Sequence, residues 1–152
     1  MKSLHVNFSR SWGGLEKNSY DLALNLHRAG HEILFVCRKG FPIERELAAN
    51  GIPHAAFGNI IAYVDLRVMI ALWRIIRSNG FKVVQVTHTE DIGLVIPVTA
   101  FLRDVKVFLW LQMFVSGPKK DLYHRFEYRH ISKLFVCSPV LAEAALKNLP
   151  IT

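Results

Sequence analysis

Six short apolar runs recur along the chain, at 3–8, 32–37, 54–57, 82–87, 105–111 and 134–137. Between them lie stretches whose apolar residues return every three or four positions. The runs are continuous rather than alternately apolar and polar. That is the pattern of strands covered on both faces, which restricts the chain to a parallel sheet between helix layers. With right-handed crossovers, the expected fold is α/β: a doubly wound, Rossmann-like parallel sheet of about six strands.

The helix signals agree with that reading. Leu15, Ser19, Leu22, Ala23 and Leu26 share one face of a first helix, and Gly30 stands where a left-handed cap belongs. A short helix over 43–50 stops at Gly51. Asp65 caps a third helix, for which Leu66, Met69, Ile70, Trp73 and Ile76 form the expected buried stripe, and Gly80 ends it. Residues 89–103 read as a helix that kinks or starts late because of Gly93 and Pro97. Two more helices are expected over 121–130 and 139–148, the last with Pro139 at its first position.

At 152 residues the chain reads as one domain, 1–152, able to bury about two-thirds of its unfolded surface without staples. Cys37 and Cys137 both sit in apolar runs and are expected to be reduced and buried; two cysteines do not make a zinc site. Lys2, Asn7 and Arg10 interrupt any leader-like core. The longest uncharged stretches, 92–102 and 107–118, fall short of the ~18 residues of a spanning helix. The expected setting is cytoplasmic, free or held against the inner face of the cytoplasmic membrane. A net charge of +7 suits a nucleic acid, an anionic membrane or a phosphorylated ligand alike.

In a doubly wound sheet, ligands bind beyond the carboxyl ends of the strands. That rule nominates the loops 9–14, 38–42, 88–91 and 112–120, together with Ser138. The first turn, SRSWGGLEK, lacks both a dinucleotide fingerprint and a Walker lysine. Gly13 and Gly14 nevertheless open a helix, where free amides attract anions and a ligand approaches the backbone closely; the same two glycines also suit a plain tight turn. His88 closes the fourth strand and is placed to contact a sugar hydroxyl or phosphate, or to cap a helix. Glu90 and Asp91 offer acid or base chemistry, or serve the helix dipole. The apolar stretch after the fifth strand is either a buried continuation or a lip for a lipid acceptor. Residues 119–133 combine five Lys/Arg and two Asp/Glu with Tyr123, Phe126 and Tyr128. This suits an anionic membrane, a nucleic-acid groove or a solvated helix.

The stretch GGLEKNSYDLALNLHRAGHEILFV resembles the opening of the N-terminal domain of a GT-B fold, family 4 glycosyltransferase. LAANGIPHAAF, KVVQVTH and KLFVCSPVLAEAAL resemble later segments of that domain in the right order. The resemblance spans essentially the whole chain. It implies two facing Rossmann-like domains, the N-terminal one for the acceptor and the C-terminal one for a nucleotide-sugar donor. Nothing in this chain matches the second, so the chain reads as one half, cut short or encoded separately.

By this resemblance Gly13 and Gly14 approach the donor diphosphate, and His88 lies near the acceptor as the catalytic candidate. Arg10, Thr89, Asp91, Gln112, Met113 and Ser138, on the same edge, are the acceptor-binding candidates. Many members carry a histidine after the fifth strand, where this chain reads Leu111-Gln112-Met113. The implied reaction is hexosyl transfer with retention, without metal or cofactor, to a glycan or lipid-linked acceptor in cell-envelope or polysaccharide synthesis. Half of a sugar-nucleotide epimerase and a non-catalytic, membrane-recruiting subunit of a split transferase are the alternatives. Nucleic acid is not an expected partner, and the chain alone is expected to fold without transferring sugar.

Overall fold

The computed structural model describes residues 1–61, 64–115 and 117–151; Ser116, in the nominated loop 112–120, lies outside the described residues. Six strands, β1 (Lys2–Asn7), β2 (Glu32–Arg38), β3 (His54–Phe57), β4 (Val83–Val86), β5 (Lys106–Leu111) and β6 (Ile131–Val136), form one sheet. Its order is β3-β2-β1-β4-β5-β6 and every pairing is parallel. The helices are α1 (Gly14–Arg28), α2 (Pro42–Ala49), α3 (Leu66–Asn79), α4 (Ile92–Thr99), α5 (Leu122–Arg129) and α6 (Pro139–Asn148). The order reverses between β1 and β4, so the α/β reading holds and the switch point lies over the ends of those two strands.

Local signals place the elements. Asp65 accepts from the amides of Arg67 and Val68, and Ser138 accepts from Leu141, each capping its helix. Gly80 ends α3 at φ +66°, a left-handed position natural to glycine. The helix after β4 starts late, at Ile92, and carries Pro97 inside it.

Two cores lie on the two sheet faces. On one, Ile33, Phe35 and Cys37 of β2 pack with Tyr20 and Ala23 of α1 and Ile43 and Leu47 of α2. On the other, Leu4, Val6, Val84, Val86, Val107 and Leu109 meet Val68, Leu72 and Ile76 of α3 and nearly all of α4. Burying the larger of these side chains stabilises the fold by about 2 kcal/mol each.

Three expectations are corrected. The buried stripe of α3 is Val68, Leu72 and Ile76, whereas Leu66, Ile70 and Trp73 face solvent. The helix is apolar on two sides, and spacing alone selects the wrong one. Cys37 is buried, but Cys137 is exposed just past edge strand β6; both are free thiols. The strands are not all covered twice: β5 and β6 leave Phe108, Trp110 and Phe135 around an open hollow of about 390 Å³ on the α1 face.

Candidate functional site

The loop after β1 is held at its root by a clamp on one residue, Phe8. Asp91 Oδ2 accepts from the Phe8 amide at 3.0 Å, and Arg38 Nε donates to the Phe8 carbonyl at 3.1 Å. Arg38 also donates to the Ile60 carbonyl. Burial pushes the Asp91 carboxyl up to about 6, a rise moderated by the Phe8 amide and the charges of His88 and Arg38. Beyond the clamp, the Asn7 carboxamide accepts from the Ser9 amide and the Ser9 hydroxyl accepts from the Ser11 amide. These turns bring the chain to Gly13 at the head of α1.

Glu16 organises that head. Its Oε2 accepts from the Gly13 amide at 2.8 Å, the side-chain half of a capping box whose other half needs a hydroxyl that glycine lacks. Its Oε1 lies 3.0 Å from Nε2 of His88, across the switch point. Burial acts to raise the Glu16 carboxyl. Hydrogen bonds from the Ser9 hydroxyl, the Gly13 amide, its own amide and His88 outweigh that and hold it below the usual range. An ionised carboxylate only accepts, so Nε2 of His88 carries the proton, and in the neutral ring Nδ1 is left as an acceptor.

The cleft above these groups measures about 570 Å³ and is lined by Ser9, Ser11, Gly13, Gly14, Glu16, Asn18, His88, Gln112, Met113 and Cys137, among others. It lies over the carboxyl ends of β1, β4, β5 and β6. Asn18 Nδ2 donates to Gln112 Oε1 at 2.6 Å, tying α1 to the loop after β5. A Cβ on Gly14 would meet nothing within 4 Å, so that position faces open space. The amides of Gly14 and Leu15 have no acceptor among the described residues, as the first turn of a helix leaves them. The arrangement presents backbone N–H groups and a helix dipole to an anion, beside an oriented imidazole.

Of the sequence candidates, Gly13, Gly14, His88, Gln112 and Met113 come together here. Arg10 is exposed on the loop and Thr89 half-buried after β4, both outside the lining. Asp91 is buried beneath the site in the Phe8 clamp, a positioning task rather than a ligand contact. Ser138 spends its hydroxyl on the α6 cap. Sequence reasoning singled out neither Glu16 nor Asn18, and reached Ser9 only as the first residue of the nominated loop 9–14. For Glu16 a signal existed: glutamate three residues after the helix-opening glycine. Among the described residues no cluster of three or more His, Cys, Asp or Glu is placed to hold a metal.

A family model described as Glycosyltransferase Family 4 matches residues 12–152. No curated protein sequence matches. Among solved structures, the fold is similar to a glycosyltransferase from Rickettsia africae ESF-5, with TM-score 0.78, 18% identity, and 99% of this chain and 40% of that one covered. It is similar to Anabaena Alr3699/HepE in complex with UDP and glucose, with TM-score 0.77, 15% identity, and coverage of 97% and 41%. It is also similar to a putative UDP-N-acetylglucosamine 2-epimerase from Listeria monocytogenes, with TM-score 0.66, 13% identity, and coverage of 96% and 42%. The chain thus spans about 40% of the length of the solved structures it matches.

Proposed function

Since the chain belongs to glycosyltransferase family 4 and has the N-terminal GT-B fold, we propose that it is the acceptor-binding half of a retaining transferase. The enzyme moves a hexosyl group from a nucleotide sugar to a glycan or lipid-linked acceptor. One observation carries this reading: an open glycine turn, two unpartnered helix amides and an oriented histidine meet at the switch point. The Gly13-Gly14 turn faces the donor diphosphate from across the interdomain cleft. Its amides and the α1 dipole stabilise charge on the departing phosphate. His88, fixed by Glu16, contacts the acceptor or the transferred sugar. Gln112, fixed by Asn18, and Met113 form the acceptor wall. Rate enhancement comes from positioning and electrostatics.

Similarity to the Alr3699/HepE structure with UDP and glucose supports a nucleotide-sugar donor. The polar groups that would grip the base and ribose belong to a facing domain. A lone turn in water binds diphosphate weakly, because solvent screens it. The chain alone therefore binds nucleotide sugars no more tightly than about millimolar, on the physical grounds of an open, wet site.

The test joins this chain to a donor-binding half and follows nucleoside diphosphate release and product anomeric configuration by NMR. Gly14→Val should suppress transfer while the domain stays folded. Unchanged turnover in that variant would remove the diphosphate role. Epimerisation of the sugar nucleotide without transfer would replace the transferase reading with the epimerase one, for which the similarity to the Listeria structure is the motive.

A further inference from the structure

The Glu16–His88 pair leaves the second ring nitrogen of His88 in an informative place. Glu16 is buried on α1, with Oε2 on the Gly13 amide at 2.8 Å and Oε1 3.0 Å from Nε2 of His88. Its ionised oxygens only accept, so Nε2 is the protonated nitrogen. The His88 side chain is 26% exposed and lines the cleft, and its bare Nδ1 has no partner among the described residues. A carboxylate behind one ring nitrogen and an open lone pair at the other let an imidazole take a proton. The charge that appears on the ring is met by the carboxylate.

Other bases are out of reach. Among the described residues lining the cleft, Glu16 is the one carboxylate and His88 the one imidazole. Both oxygens of Glu16 are occupied, at Gly13 and at His88. Asp91 is buried with Oδ2 on the Phe8 amide, and Glu90 is exposed outside the lining. Cys137, also in the lining, turns its thiol to the Leu111 carbonyl. The head of α1 opens into the same cleft, so an incoming hydroxyl and a departing diphosphate each find a counterpart there.

We propose that His88 is the general base of the transfer and that Glu16 is its positioning residue, with Nδ1 taking the acceptor's hydroxyl proton. The acceptor O–H bond breaks and its proton joins Nδ1. The freed electron pair forms the new bond to the anomeric carbon. The bond from that carbon to the diphosphate oxygen breaks, and its electron pair leaves with the diphosphate toward the α1 amides. Glu16 stays ionised, offsets the charge on the ring and takes no proton; the imidazolium then returns its proton to water. The base acts beyond the positioning and electrostatics already described, and it rests on the transfer reading. It concerns where the acceptor's proton goes, not which face of the sugar is attacked. The rival route has no base: the departing diphosphate takes the proton itself.

The experiment joins this chain to a donor-binding half and supplies UDP-glucose, with ethanol or trifluoroethanol as the probe acceptor. The fluorinated alcohol gives up its proton more readily. His88→Gln keeps a hydrogen-bonding side chain that takes no proton. It should slow transfer to ethanol about 100-fold or more, the share a general base supplies, and transfer to trifluoroethanol by less than about 10-fold. Glu16→Gln should fall between the parent and His88→Gln on ethanol, and show the same preference for the acidic alcohol. A merely structural loss would slow both alcohols equally. Nitrogen-15 NMR of the neutral His88 ring in the same protein should show the proton on Nε2. Circular-dichroism melts check the folds, and His88→Gln decides alone should Glu16→Gln melt early. A smaller loss on ethanol, an equal loss on both alcohols, or a proton on Nδ1 would each overturn the proposal; the first would hand the proton to the departing diphosphate. Absence of transfer by the parent would instead remove the transfer reading on which the base depends, whereas transfer that survives in His88→Gln would remove the base alone.

Discussion

The cleft rim and the α3–α4 flank are both surface, yet they are built oppositely. On the rim the key polar side chains have partners within the chain: Glu16 with His88 and Gly13, Asn18 with Gln112, Asp91 with Phe8. On the flank the large side chains lie open, and Arg77 leans on Trp73. A rim residue holds geometry, so altering it disturbs a network. A flank residue holds almost nothing in the folded monomer, so its chemistry is available to something outside. Stability measurements therefore separate the two regions.

The largest contrast is expected inside α3 itself. Leu72→Ala empties a fully buried position and should cost about 3 kcal/mol in urea unfolding, by analogy with other leucine truncations. Trp73→Ala, one residue on, should cost less than about 0.5 kcal/mol, as exposed substitutions do. A comparable loss at both would show that the outward stripe is structural and would break the comparison.

Beneath the rim, pH gives the next effect. Burial raises Asp91 from 3.8 to about 6, so the folded state holds its proton more tightly. The stability this contributes is complete below about pH 4 and is lost as pH rises to 6. Burial lowers His5 from 6.5 to about 4, and that residue acts with the opposite sign, destabilising the fold as pH falls below 6.5. The two oppose each other between pH 4 and 6. Asp91→Asn should uncover the histidine slope. Stability should then rise with pH more steeply than in the parent, by on the order of 1 kcal/mol per unit. Parallel profiles from denaturant titrations at pH 4.5, 5.5 and 6.5 would remove this account of Asp91.

Glu16→Ala should cost about 1–2 kcal/mol, because it strips the Gly13 amide and His88 of their acceptor. It should also release the imidazole, visible as changed His88 ring signals by NMR. A destabilisation without any change at His88 would reduce Glu16 to a helix cap. The smallest stability effect belongs to Gly14→Val, within about 0.5 kcal/mol, since its Cβ meets open space. A large loss there would mean that the turn serves the fold rather than the cleft.

Much of the architecture is local and was therefore legible in the residues. Apolar runs mark strands, Asp65 and Ser138 cap helices through their own next-turn amides, and Gly80 takes a left-handed dihedral. Each signal acts within a few residues, so order along the chain suffices to read it. The site is different. Glu16 and His88 are 72 residues apart, Phe8 and Asp91 83, and Asn18 and Gln112 94. Only the placing of β4 beside β1, with β5 next to β4, brings these partners within hydrogen-bond reach. The facing of α3 was undecidable from periodicity because both of its sides are apolar; packing against Val84 and Leu4 chose Leu72 over Trp73. Cys137 stands exposed for a related reason. An apolar run is buried only as far as the sheet places something over it, and β6 is the sheet's edge.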